Sequence, residues 1–261
     1  MFFLYQIILS LIILISPFLI IFRIYKKKED KIRFKEKFSI SSKKRSKGKL
    51  IWFHGASVGE ILSVIPLIEN YEKDKSIKQI LVTSSTLSSS KVLQKFQFKK
   101  TIHQFYPIDH IFFTKKFLEY WKPNLAIFIE SEIWPCMFKE LEQKKISLIL
   151  LNARITKKTF SKWIKLKNFS QEVFNKITVA YPQNFETKYF LKKLKAKKIK
   201  TIGNLKFAEN VNEKINKLNN KFKKKKIWIA SSTHSDEEIF CAKAHIELKK
   251  KINNFNSKTC T

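Results

Sequence analysis

Hydrophobic positions follow two rhythms along this chain. Residues Phe2 to Phe22 make one apolar run without a charged side chain, broken only by Gln6, Ser10, Ser16 and Pro17. As a helix rising about 1.5 Å per residue, that run reaches roughly 30 Å, the depth of a bilayer core. From Lys49 onward, short apolar runs rich in β-branched residues alternate with amphipathic stretches. The runs predict strands at Leu50–His54, Gln79–Thr83, His103–Tyr106, Leu125–Ile129, Ser147–Leu151, Ile177–Ala180 and Lys200–Ile202. The intervening stretches predict helices at Glu60–Lys73, Ser88–Phe96, Ile111–Trp121, Trp134–Lys144, Thr159–Asn175 and Phe185–Lys195. Strand–helix alternation implies βαβ units, a parallel sheet and a doubly wound α/β fold with right-handed crossovers. The continuous run Leu125-Ala126-Ile127-Phe128-Ile129 suits a strand covered on both faces.

Four segments complete this organisation. Residues 1–25 read as a membrane anchor, 26–48 as a basic tether, 49–209 as a complete Rossmann-like domain and 210–226 as a lysine- and asparagine-rich linker. A fresh strand then begins at Ile227-Trp228-Ile229-Ala230, leading through Ser231–His234 to an acidic helix start at Asp236-Glu237-Glu238. Residues 227–261 therefore look like the opening of a second α/β domain. They are too few to complete one, since domains rarely fall below about 50 residues. The polar tail from Asn253 onward is not expected to build the next strand.

Composition refines the picture. The hydrophobic share of 44% allows a sizeable core, and 4 Gly with 6 Pro leave little room for low-complexity linker. The formal net charge of +32 favours anionic partners. Only Arg23, Arg33, Arg45 and Arg154 are arginine, so most of the charge is lysine that solvates surfaces. The 24 Phe lie mostly in core-like patterns and are not interleaved with basic residues, so no nucleic acid is expected. Three cysteines without regular spacing argue against a disulfide framework or a zinc site. The basic cluster Arg23, Lys26, Lys27 and Lys28 follows the apolar run, which places the downstream chain on the cytoplasmic side. A basic start and a small-residue cleavage site, the marks of a removed signal, are absent. A spanning helix is the expectation, with a segment lying along the membrane face as its rival.

Ligands of open α/β sheets bind at the carboxyl ends of the strands, so the polar segments there are the candidates. In His54-Gly55-Ala56-Ser57-Val58-Gly59-Glu60, two glycines flank a strand-to-helix turn whose N–H groups could meet an anion. Glu60 there is either a general base or a helix-start carboxylate. Glu130-Ser131-Glu132-Ile133-Trp134-Pro135 sets two carboxylates after a buried strand, expected to point the same way. Asn152-Ala153-Arg154 offers an arginine, Gly203-Asn204-Leu205-Lys206-Phe207 a lysine, and Ser231-Ser232-Thr233-His234 hydroxyls at a helix start.

In this order and spacing the motifs resemble the Kdo (3-deoxy-D-manno-octulosonic acid) transferase family of glycosyltransferases. The resemblance implies a GT-B-type fold: two Rossmann-like domains, the first taking a lipid A precursor (lipid IVA) acceptor, the second the donor CMP-Kdo. It implies that Glu60 is the proton acceptor and that Glu130 and Lys206 stabilise the transition state of an inverting transfer. Ser57, Gly59, Glu132, Arg154, Ser232 and His234 become candidate substrate contacts. No cofactor or metal is implied. Anionic lipids of the inner membrane would lie beside the basic surface. The family's Pro-Arg-His-Pro segment, its glycine-rich donor loops and its nucleotide-binding acid have no counterpart here, which predicts a truncated donor domain with impaired transfer. The alternatives are a non-catalytic membrane-tethered remnant and a basic polyanion-binding protein.

Overall fold

The structure, a computed structural model, describes residues 1–205, 226–231, 235–251 and 255–260. The chain divides into two units, Met1–Ala208 and Glu209–Thr261. In the first unit, β1 (Lys49–His54), β2 (Ile77–Ser84), β3 (Thr101–Phe105), β4 (Leu125–Ile129), β5 (Ser147–Ala153) and β6 (Val179–Pro182) form one parallel sheet in the order β3-β2-β1-β4-β5-β6. The strand order reverses between β1 and β4, and in such sheets the ligand crevice opens at that point.

Side chains alternate across the sheet with period two, and the core divides accordingly. Leu50, Trp52, Ala126 and Phe128 face one layer, built by α5 (Ile111–Trp121), α6 (Pro135–Gln143) and α8 (Lys167–Phe174). Ile51, Phe53, Ile127 and Ile129 face the other, where Ile61 of α2 (Val58–Ser63), Ile65 and Ile68 of α3 (Ile65–Lys73) and Leu93 of α4 (Leu87–Leu93) cover them. Both faces of β1 and β4 are apolar because both are covered. The remaining helices of this unit are α1 (Phe2–Tyr25), α7 (Lys157–Lys165) and α9 (Phe185–Lys193).

Several boundaries depart from the sequence expectation. The helix expected over Glu60–Lys73 breaks at Val64, because Pro66 falls in the first turn of α3, where a missing N–H is tolerated. The helix expected over Thr159–Asn175 breaks at Leu166, whose ψ of 48° is not helical. The strand expected at Ile177–Ala180 is shifted, since Thr178 binds Leu148 through its hydroxyl before the ladder begins. Lys200–Ile202 forms no strand: a single bridge joins Ile199 to Ala180, and Gly203 turns away at φ +91°.

The basic stretch 26–48 packs on the domain. Arg33 grips the carboxylate of Glu36 at 2.9 and 3.0 Å and also reaches His103, while Glu36 accepts from the backbone of Phe105 at 2.7 Å. Arg45 donates to the carbonyl of Trp121 at 2.6 Å. In α1, Pro17 cannot donate to the carbonyl of Ile13. The Ser16 hydroxyl takes that role at 2.7 Å, so the helix continues through the proline.

In the second unit, β7 (Lys226–Ser231) leads through α10 (Ser235–Lys251) to β8 (Phe255–Cys260), which pairs in parallel with β7. The tail thus does supply a strand. Backbone groups satisfy one another whatever the side chains' polarity, and Phe255, Thr259 and Cys260 are residue types at home in strands. The linker expected at 210–226 lies outside the described residues except for Lys226, which belongs to β7.

Candidate active site

The loops leaving β1, β4 and β5 gather at the carboxyl edge of the sheet, around the reversal of strand order. After β1, Ser57 caps α2 by accepting from the Glu60 amide at 3.3 Å. Glu60 Oε2 in turn accepts from the amides of Ala56 at 2.6 Å and Ser57 at 3.3 Å. This capping box corrects one expectation: the N–H groups of the turn hold the chain's own carboxylate and do not wait for an external anion. Of the two roles weighed for Glu60, the capping box shows the helix-start one. Oε2 locks the side chain to the turn, while Oε1 has no hydrogen bond among the described residues. Gly59 is exposed, with nothing within 4 Å of where a Cβ would lie, so packing does not demand a glycine there. At Gly55 a Cβ would meet Glu60 Cβ at 3.0 Å and Ile129 Cδ1 at 3.2 Å, and its absence lets this loop close onto the end of β4.

After β4, the chain turns at once. Glu130 adopts the left-handed region at φ +54° and is 6% exposed. Its amide donates to the Leu151 carbonyl at 3.0 Å, and its carbonyl accepts from the Arg154 amide at 3.2 Å. Ser131 Oγ adds a bond to the Arg154 carbonyl at 2.8 Å, tying the β4 and β5 loops together. The two acids were expected to align by strand alternation. Strand alternation does not apply to them, since β4 ends at Ile129 and both acids lie in the turn that follows. Glu132 Oε2 accepts from His54 Nε2 at 3.0 Å and from Trp134 Nε1 at 2.9 Å. His54 is fully buried at the end of β1, with Nδ1 3.0 Å from the Thr83 hydroxyl and its ring stacked on Tyr106 at 3.8 Å. A carboxylate only accepts, so Nε2 carries a proton and the Thr83 hydroxyl can serve Nδ1.

Electrostatics follow from this crowding. Burial raises the pKa of Glu60, the nearby charge of Glu132 raises it further, and Glu130 adds to the effect; the Ser57 and Ala56 amides oppose it. Burial also pushes Glu132 upward, but the His54 and Trp134 hydrogen bonds outweigh it and leave the carboxyl below its ordinary value. Neighbouring acids are thus pushed apart: Glu132 stays ionised, and Glu60 is the better proton acceptor of the two.

Asn152, at the end of β5, is also left-handed, at φ +51°. Its side-chain oxygen accepts from the Leu205 amide at 3.3 Å, which brings the Gly203–Leu205 turn to the same edge. Arg154 stands exposed beside it. The structure therefore brings Glu60, Glu130 and Glu132 within electrostatic reach of one another at the carboxyl edge of the sheet, with Ser57 and Arg154 on the same loops. Lys206, Ser232 and His234 lie outside the described residues. Sequence reasoning missed His54 and Tyr106 as supports for Glu132. The available signal was a histidine closing a buried strand directly before a glycine turn. Among the described residues, no group of three or more His, Cys, Asp or Glu is placed to hold a metal ion.

A carboxylate fixed through one oxygen by a capping box, with two further acids near enough to raise its pKa, has the chemistry to take a proton from a hydroxyl. A family model described as 3-Deoxy-D-manno-octulosonic-acid transferase (kdotransferase) matches residues 32–209, the whole of the sheet and its loops. The chain belongs to this family. A curated Kdo transferase from Rickettsia bellii is 39% identical over 249 residues, covering 94% of this chain and 59% of the relative. Another from Rickettsia felis is 41% identical over 196 residues, covering 72% of this chain and 41% of the relative. The chain thus spans about half the length of the Kdo transferases it matches. The UDP-GlcNAc 2-epimerase of Neisseria meningitidis shares the fold, with a TM-score of 0.54 at 14% identity, over 82% of this chain and 65% of that one. The part of the family that this chain shares is the parallel six-stranded α/β sheet and its loops, within residues 32–209.

Proposed function

We propose that this protein transfers Kdo from CMP-Kdo to a hydroxyl of the lipid A precursor lipid IVA, with inversion, at the cytoplasmic face of the inner membrane. Glu60 is the proton acceptor. The convergence of Glu60, Glu130 and Glu132 at the reversal of strand order carries this reading. An acceptor hydroxyl is a weak nucleophile until a positioned base takes its proton. Glu130, buried at the strand end, and Lys206, which follows the Gly203–Leu205 turn, stabilise the charge that develops as the bond to CMP breaks. Arg154 and Ser57 contact the phosphorylated acceptor, and Ser232 and His234 the donor. The apolar N-terminal helix and the Lys26–Lys49 segment hold the crevice beside anionic inner-membrane lipids.

The test is transfer of labelled Kdo from CMP-Kdo to lipid IVA in vesicles by the wild-type chain and by Glu60→Gln. Loss of the base should lower kcat/KM by about 10²–10⁴-fold. Retention of lipid IVA without transfer by the wild-type chain would restrict the protein to acceptor binding, the remnant reading. Equal transfer by both chains would remove Glu60 from the mechanism.

A further inference from the structure

Helix α1 is built as a flank of the domain. Its covered residues recur at Phe2, Tyr5, Leu9, Ile13, Ser16 and Ile20, steps of three and four that trace one face over five turns. Side-chain ties hold the first three turns of α1 to the domain, and burial of Ser16 and Ile20 continues the covered face. The Phe2 ring meets Phe169 edge-on at 5.0 Å. The Tyr5 hydroxyl donates to Asp109 at 2.9 Å, and Asp109 also accepts from the amides of Cys136 and Met137. Ser10 lies 3.3 Å from His110, and at the far end Arg23 pairs with buried Glu29 at 3.1 Å. A helix crossing a bilayer has lipid around its whole circumference, which leaves a water-soluble domain no room to line it from Phe2 to Ile20.

The opposite face is an apolar ridge open to the surroundings: Phe3 is 79%, Leu14 72% and Phe18 74% exposed. Such a helix would need a polar face if water covered any side. Here one side meets protein, and apolar residues on the other call for lipid. Basic clusters stand at both ends of the ridge. Arg23, Lys26, Lys27 and Lys28 follow its last turn. At its first turn, Phe169 bridges Phe2 to Trp163 of α7, 6.3 Å away. There Lys157, Lys158, Lys162 and Lys165 are exposed together with Ile164.

We propose that α1 does not cross the bilayer but lies along its surface, the ridge sunk in the acyl boundary of an anionic membrane and the two lysine clusters among its headgroups. Both ends of α1 then stay on the side of the domain. The proposal rests on the membrane assignment above, and the experiment separates the two. The full chain, carrying an epitope tag before Met1, is expressed in inverted inner-membrane vesicles and treated with protease. Removal of the tag without detergent, as fast as cleavage within Lys26–Lys49, is expected. A tag protected until detergent is added would overturn the in-plane arrangement and leave membrane attachment standing. Added to preformed phosphatidylglycerol vesicles, the wild-type chain should float with them. Leu14→Glu with Phe18→Glu should reduce the floating fraction at least tenfold without lowering the thermal midpoint, because both side chains point away from the domain. A wild-type chain that does not float would overturn the lipid surface itself. A double variant that melts early would show the ridge to be packed against protein.

Discussion

Two of the buried acidic clusters in the first unit are finished differently. In the clamp on β3, Glu36 is 1% exposed and spends both oxygens: Arg33 takes each of them, and the Phe105 amide and the Ser42 hydroxyl add further bonds. In the crevice beside β1, Glu60 is half-buried and uses one oxygen to fix itself while the other remains available. The lesson is that burial alone does not mark a working carboxylate. A structural acid has every lone pair directed at a donor, and a reacting one is held rigid yet incompletely used.

The comparison breaks first on Glu60→Gln, expected to cost about 10²–10⁴-fold in transfer while leaving the thermal midpoint within a few degrees. A collapse of stability with it would put Glu60 in the structural class. Glu36→Ala should do the reverse. Removing one partner of a buried ion pair costs about 3–5 kcal/mol, or roughly 10 °C in a domain of this size. Calorimetry reads it, and an unchanged melting curve would show the clamp to be dispensable. Glu132→Gln sharpens the contrast. Glu60 is raised by burial and then by Glu132, so losing that charge lowers its pKa. A base works when deprotonated, so the acidic limb of the kcat/KM–pH profile should move to lower pH; a limb moving upward would contradict the coupling. A fourth check concerns Asp109, whose burial raises its pKa from 3.8 to about 7 against the Met137 and Cys136 amides and the Tyr5 hydroxyl. A raised carboxyl contributes stability at low pH that is lost as pH climbs from about 4 to 7. Asp109→Asn should flatten that slope in pH-dependent melting. The smallest effect is expected at Gly55→Ala, whose added methyl must displace Glu60 by a few tenths of an ångström and lower transfer severalfold at unchanged stability.

Much of this was readable in the chain. Leu125–Ile129 and Ile111–Trp121 match β4 and α5 end to end, because an unbroken apolar run and a clear helical period leave no competing pattern. Glu60 and Glu130 stand out as candidates because strand ends of a parallel sheet are where ligands bind, and the structure places them just after β1 and β4. What escaped depended on side chains far apart in sequence. The His54–Glu132 bond joins residues 78 positions apart, and no local spacing announces it. The stretch 26–48 reads as a tether because its lysines mask two buried acids: Glu29, paired with Arg23 and Lys37, and Glu36, whose partners come from β3 and its own neighbours. Pro66 was visible, yet its helix was drawn through it; the weight belonged on the proline.

The left-handed turn at Glu130 sets a conflict between persistence and use. A side-chain-bearing residue at φ +54° costs on the order of 1 kcal/mol that glycine would not. Glycine at position 130 would relieve that strain, and under the proposed role of Glu130 any screen for sugar transfer should reject it. The residue occupying that corner in a population of drifting copies would record whether the gene is still selected for its chemistry or only for its fold.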